Sequence, residues 1–245
     1  MQGDKQVILA IVVGLAGFTA GVLSEEKHMD FFVGSIIGPL VTLAAAFSGA
    51  WYAFKLHDEK DKRGRSESDV MAANRAIFEM SRHCNRLATF RKQFLDEKEG
   101  DANREYLILP VAGFSWEPPN IDYDSLAFLF ESPQPNLLTE ISSAEQAITS
   151  AVDVIRQRSE FHVEKFQPVV EELEREHGPE FSADLIRSKL GPRNTQVLKM
   201  LTDYNYECVD TAISEMEKMI KKLVEEVKKL YPDHVVISFK LPRVE

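Results

Sequence analysis

Polar and apolar positions follow two different patterns along this chain. Residues 6–24 (QVILAIVVGLAGFTAGVLS) and 31–54 (FFVGSIIGPLVTLAAAFSGAWYAF) contain no charged side chain, whereas beyond residue 55 the apolar positions thin to stripes at helical spacing. At about 1.5 Å rise per residue, the first run barely crosses a hydrocarbon core of about 30 Å and the second is long enough to tilt. Backbone groups in lipid must be satisfied within the segment, so both runs are expected to be helices, joined by the polar connection 25–30 into an antiparallel transmembrane hairpin. A cleavable signal peptide is the competing reading of the first run. The missing small-x-small cleavage site and the second span close behind argue against it.

Basic residues near membrane ends are retained in the cytoplasm. Lys55, Lys60, Lys62, Arg63 and Arg65 follow the second run, while the connection carries Lys27 among three acids. Both termini are therefore expected in the cytoplasm. Trp51 and Tyr52 at the inner end, with Phe31 and Phe32 at the outer end, suit interfacial anchoring. Small residues recur every fourth position in the second run, at Gly34, Gly38, Thr42, Ala46 and Ala50, and the first run has Gly17 and Gly21. Such columns let helix backbones approach closely in lipid, either within the hairpin or between copies. Pro39 removes a backbone donor and should bend the second span.

After a charged linker (55–68), three long stripes appear. Val70, Ala73, Ile77, Met80, Cys84, Leu87 and Phe94 recur at spacings of mainly three and four. Leu138, Ile141, Ile148, Val152, Ile155, Phe166, Val170 and Leu173 mark a second helix over about 136–177, bent by Pro168 and stopped by Gly178-Pro179, with Ser159 and His162 on its inner face. His162 reads as a core residue bonded to a neighbour. A short helix over 182–190 precedes the third long one, over about 194–230. Its seam is Val197, Leu201, Tyr204, Cys208, Ala212, Met216, Met219, Leu223, Val227 and Leu230, and its charged residues, Glu226 among them, fall on the other faces. Residues 101–135, with Trp116 and Pro118-Pro119, read as an extended piece and loop that folds onto the helices and caps one end, with the last extended segment, 235–241, alongside. The fold class is mainly α: a two-helix transmembrane hairpin (1–54), the juxtamembrane linker (55–68) and a cytoplasmic elongated antiparallel bundle of three long helices (69–245) with minor extended segments.

Charge sharpens this division. Of the 29 Lys+Arg and 39 Asp+Glu, only six lie before residue 55, so the net charge of -10 belongs mostly to the bundle. An acidic balance disfavours nucleic acid, which needs a basic face. Cys84 and Cys208 are too few for a disulfide framework and lack metal spacing. There is no Gly-rich phosphate loop, His-Glu-x-x-His, Cys-x-x-Cys or Gly-x-Ser-x-Gly. Glu174-x-x-His177 has the spacing of helical di-iron ligands, but its only companion pair, Glu25 and His28, falls on the far side of the membrane. No catalytic, metal or cofactor residue is assigned.

The stretches GPLVTLAAAFSGAWYAFKL and SLAFLFESPQPNLLTEISSAEQAITSAVDVIRQRSEFH resemble uncharacterised bacterial inner-membrane proteins with an N-terminal membrane anchor and a cytoplasmic helical region. The resemblance implies a place at the bacterial inner membrane and carries no activity. The expected function is a non-enzymatic membrane-anchored scaffold or interaction protein, in contact with lipid and with a second copy or a cytoplasmic protein partner. The alternative is a two-span effector of bacterial anti-phage defence that perturbs the membrane when triggered, an analogy of architecture.

Overall fold

The computed structural model describes residues 38–111, 116, 117 and 119–239. The expected first span, the opening of the second, and with them Gly17, Gly21, Gly34, Phe31 and Phe32, lie outside the described residues. The chain divides into two units, Met1–Gly64 and Arg65–Glu245. It is mainly helical, with no strand among the described residues.

The first described helix, α1 (Gly38–Phe90), continues through the charged linker and through Gly64, where open space surrounds the missing side chain. In the second unit α1 is followed by a π-helical turn (Arg91–Leu95), a 3-10 turn (Asp96–Lys98), the single turn α2 (Arg104–Leu107) and a further 3-10 turn (Ala127–Glu131). Then come α3 (Leu137–Phe161), a π-helical turn (His162–Phe166), α4 (Gln167–His177), α5 (Ala183–Leu190) and α6 (Pro192–Leu230). The bend expected from Pro168 takes the form of that second π-helical turn. A proline without an N–H in the first turn of α4 leaves the carbonyl four residues earlier unbonded, and the chain widens by a residue just before it. Gly178 and Gly191 end α4 and α5 at φ of 79° and 81°, a backbone region that disfavours side chains, and Ser182 caps α5 by accepting from the Leu185 N–H.

Cross-helix contacts fix the directions. Asp69 meets Tyr231, Cys84 meets Ile213 and Arg91 meets Asp210, so α1 and α6 are antiparallel within this unit. Glu140 pairs with Lys222 and Arg158 with Thr202, so α3 and α6 are antiparallel too. Consequently α1 and α3 run parallel, a departure from the fully antiparallel bundle expected from the sequence. The physical reason is residues 96–136, which do not cap one end. They run back along the bundle as a strap: Arg104 reaches Asp203, Val111 reaches Ser159, Trp116 reaches His83, Tyr123 reaches Glu145, Phe128 reaches Tyr231 and Gln134 reaches Glu226. The strap touches α1 on one side and α3 on the other, and Ile108, Ile121, Leu126 and Leu129 enter the main core.

The expected stripes of α1 and α3 are largely buried, but the seam of α6 changes register along its length. From Ala212 to Val227 the expected residues are inside, and Leu230 is half-buried. Before that, the buried positions are Leu198, Thr202, Asn205 and Val209, each one residue beyond the expected Val197, Leu201, Tyr204 and Cys208, together with Tyr206. Here the inner face is polar, so an apolar count selects the neighbouring row. Glu226 is also inside, at 0% exposure, accepting from Gln134 Nε2 at 3.1 Å, and not on an outer face. A second core closes the other end, where Phe166, Leu173, Ile186 and Leu190 of α4, α5 and the turn before them cover Leu198. This register makes a measurable difference between neighbours. Leu198→Ala should cost about 2–5 kcal/mol in urea unfolding, as for other buried leucines, while the half-buried Leu201→Ala should cost less than half as much.

Candidate functional site

Two regions stand out by their chemistry, one in each unit. In the first, every residue of 39–64 is exposed. The exposed set includes Leu40, Val41, Leu43, Phe47, Trp51, Tyr52 and Phe54, with Phe47 at 72% and Phe54 at 75%. Thr42, Ala46 and Ala50 are exposed on the same helix, which begins at Gly38. Charge starts abruptly at Lys55, whose Nζ lies 5.7 Å from the centre of the Trp51 ring. His57 then pairs with Asp61 at 3.1 Å and Lys62 with Asp58 at 2.7 Å, while Lys60, Arg63 and Arg65 project from the helix. Among the described residues, no helix is long and apolar enough to cross a membrane. The described part of the expected second span starts at Gly38, and its residues 31–37 lie outside.

In the second unit the polar residues gather where the strap begins. Arg158, 1% exposed, donates to Thr202 Oγ1 at 3.1 Å and to the carbonyls of Glu105 and Ile108 at 3.2 and 2.7 Å. Among the described residues no carboxylate pairs with it, and burial brings its pKa down to about 10. Arg91 is different: Asp96, Glu99 and Asp210 surround it at 2.6 to 2.8 Å, and against burial, which lowers its pKa, the hydrogen bonds to Asp210 and Glu99 raise it. Arg91 and Arg104 lie at 5.0 and 4.6 Å from the centre of the Tyr206 ring, whose hydroxyl donates to the Leu95 carbonyl. Charge-assisted bonds of this kind are about twice as strong as neutral ones, so the arginines fix the strap to α6 and α3. Their donors are committed to that role.

Among the histidines, His83 does the same. Trp116 Nε1–H donates to His83 Nδ1 at 2.7 Å, which leaves the proton on His83 Nε2, 3.7 Å from Glu79 Oε2. Burial, with Arg82 and Arg86 nearby, holds the His83 pKa down at about 4. His162 is buried against Phe166 with neither ring nitrogen bonded, so the expected neighbour bond is replaced by ring packing, and burial with Arg158 lowers its pKa to about 4. Cys84 Sγ faces the Ile213 carbonyl at 3.8 Å, away from His83's contacts, and burial raises its pKa to about 12. His177 lies on the surface beside Glu176 at the end of α4. No group of three or more His, Cys, Asp or Glu among the described residues could hold a metal ion. Arg158 and Trp116 were not singled out as site residues by sequence. Arg158 does carry a signal, three residues past Ile155 on the inner stripe, whereas the partner of Trp116 has none.

The strap should loosen in acid. Between pH about 4 and 6.5 the unfolded imidazoles of His83 and His162 bind protons that the folded ones refuse, so stability falls as pH falls through that window. A protonated His83 would also turn its Nδ1 into a donor facing the Trp116 donor. His83→Phe should be about 1–3 kcal/mol less stable than wild type at pH 7.5, because Trp116 loses its acceptor, yet lose less stability on going to pH 4.5. Chemical denaturation of both proteins at the two pH values checks this, and parallel losses would contradict it.

No family model matches the chain, and no curated protein or solved structure matches it either.

Proposed function

We propose that this chain is a non-enzymatic, membrane-anchored helical scaffold of the bacterial inner membrane, whose cytoplasmic bundle binds a second copy or a cytoplasmic protein. The observation that carries the reading is the exposed apolar start of α1. Burying a large apolar side chain fully is worth about 1.5–3 kcal/mol, so leaving Leu40, Val41, Leu43, Phe47, Trp51, Tyr52 and Phe54 at 44–75% exposure forgoes roughly 6–12 kcal/mol, comparable to the whole stability of a typical domain. Lipid covers such a surface without any protein partner. The change from uncharged to densely charged sequence at Lys55, with Trp51 beside it, is what an inner interface requires. The second unit supports a binding role because Arg91, Arg104, Arg158 and His83 are used to hold the strap in place.

The test is fractionation. After alkaline carbonate washing the wild-type chain should stay with the vesicles, and Leu43→Asp combined with Phe47→Asp should move most of it to the supernatant, since each central Asp costs about 2.5–3.5 kcal/mol of insertion. Extracted in mild detergent, the chain should run as a homo-oligomer or with one stoichiometric partner. Wild type stripped by carbonate would refute the anchor, and a monomer without partner would refute the scaffold.

The exposed column of Thr42, Ala46 and Ala50 favours a second reading, an anti-phage effector in which these surfaces associate and compromise the membrane. In that case overexpression, or phage infection, collapses the membrane potential, and Ala46→Leu with Ala50→Leu restores it. A scaffold leaves the potential unchanged in both proteins.

A further inference from the structure

Charge is shared unevenly over the second unit. The chain has a net charge of -10, yet residues 70–95 hold five Lys and Arg against one acid, Glu79. Arg91 is committed to Asp96, Glu99 and Asp210. Arg75, Arg82 and Arg86 are exposed, and spacings of seven and four place them within roughly 20° of one side of α1, over about 16 Å. Arg82 pairs with Glu79 at 2.7 Å, Arg75 donates to the Met71 sulfur at 3.6 Å, and Arg86 lies 5.8 Å from the centre of the Trp116 ring. Asp122 is near enough to feel the charge of Arg75, but its carboxylate accepts from Ser125. Phe78 stands among the three arginines, 50% exposed.

The opposite sign collects around α4. Residues 160–180 hold seven Glu against Lys165 and Arg175. Glu172 and Glu176 are paired with Lys189, and Arg175 Nε donates to the Glu171 carbonyl. Glu164, Glu171 and Glu174 are exposed at spacings of seven and three, over about 15 Å, with the exposed Pro168 between them. Glu171 accepts from the neutral Gln167, so its charge is not balanced there. The two charged sides cannot neutralise each other within one molecule. Arg75 to Arg86 lie beside the part of α6 that follows Ile213, because Cys84 meets Ile213 and Asp69 meets Tyr231, whereas α4 covers Leu198. Ile213 and Leu198 are roughly 20 Å apart along α6, about twice the distance over which salt screens exposed charges.

We propose that the arginine side of α1 docks along the glutamate side of α4 in a second copy of this chain. The proposal rests on the scaffold reading and names the surface through which two copies would meet. Charge and spacing both fit. With the two helices side by side and parallel, Arg75 faces Glu164, Arg82 faces Glu171 and Arg86 faces Glu174, since spacings of seven and four meet spacings of seven and three. Phe78 then falls opposite Gln167 and Pro168, so an aromatic ring on a proline forms the centre and the ion pairs form the rim. Exposed ion pairs add little affinity one by one, but a row of them selects the partner and fixes the register. Because the two sides are different surfaces at different ends of the unit, the contact occurs twice in a closed antiparallel pair or repeats from head to tail.

The experiment uses the full chain in non-ionic detergent with Phe78→benzoylphenylalanine, as an equal mixture of isotope-labelled and unlabelled protein, irradiated and digested. The expected product joins position 78 of one copy to residues 163–172 of another, recognised by its mixed isotope pattern, and its yield should fall at least about fivefold between low salt and about 0.5 M NaCl. Arg75→Glu with Arg86→Glu, or Glu171→Arg with Glu174→Arg, should each lower the yield about tenfold. Mixing the two variants, with the probe on the first, should restore it, because the reversed α1 of one then fits the reversed α4 of the other. A misfolded variant could not be rescued in that way. Absence of mixed adducts in wild type, adducts confined to other segments, a yield indifferent to salt, or no recovery on mixing would each overturn the proposal. If it fails while the chain still runs as an oligomer or with a partner, the scaffold reading survives; a monomer without partner refutes both.

Discussion

Apolar surface has to leave water, and this chain does so in two unlike ways. In the second unit the stripes of α1, α3 and α6 cover one another, and Ile77, Leu87, Ile141, Ile148, Val209 and Leu223 are fully buried as a result. In the first, the apolar side chains of residues 39–54 stand exposed along a single helix. That contrast matches the sequence, which contains both a charge-free segment and an acidic bundle. In the proposed reading lipid completes the first in the way that neighbouring helices complete the second, and the cytoplasmic binding role follows from where such an anchor would hold the bundle.

The bundle depends on its strap. Two parallel helices cannot be joined by a short turn, so the chain must return along the whole unit between α1 and α3, and its backbone groups need partners that a sheet would otherwise supply. Side chains supply them. Arg158 collects the carbonyls of Glu105 and Ile108, Ser159 Oγ takes the Val111 N–H, and Trp116 is bonded to His83. A buried guanidinium without a carboxylate is tolerable only because several carbonyl and hydroxyl dipoles converge on it, and replacing those acceptors by apolar groups would leave its charge uncompensated. The polar inner face of α6 at Thr202 and Asn205 is the counterpart of this arrangement.

Much of this was legible from spacing alone. Helix ends at Gly178 and Gly191, the bend at Pro168 and the buried rows of α1 and α3 follow from local rules, because each needs only residues a turn or two apart. What the sequence hid depends on residues far apart in the chain. Thr202 is inside because Arg158 bonds to it, forty-four positions away, and an apolar count therefore chose Leu201. The parallel course of α1 and α3 is decided by the length of the strap, which contains few periodic signals, and its route is marked by single contacts such as Tyr123 with Glu145. The proposed anchor is legible in the opposite sense: composition alone sets residues 39–54 apart, and the structure adds that their large side chains are exposed.

The most direct test of this account is solvent accessibility along α1. In a Cys208→Ser background, with the buried Cys84 retained, single nitroxide labels at Leu43, Phe47, Phe54 and Lys60 of the full chain in lipid vesicles would be relaxed by oxygen, which concentrates in lipid, and by a water-soluble nickel chelate. The account predicts strong oxygen and weak nickel relaxation at Leu43 and Phe47, reversing by Lys60. Nickel relaxation at Phe47 as strong as at Lys60 would contradict it.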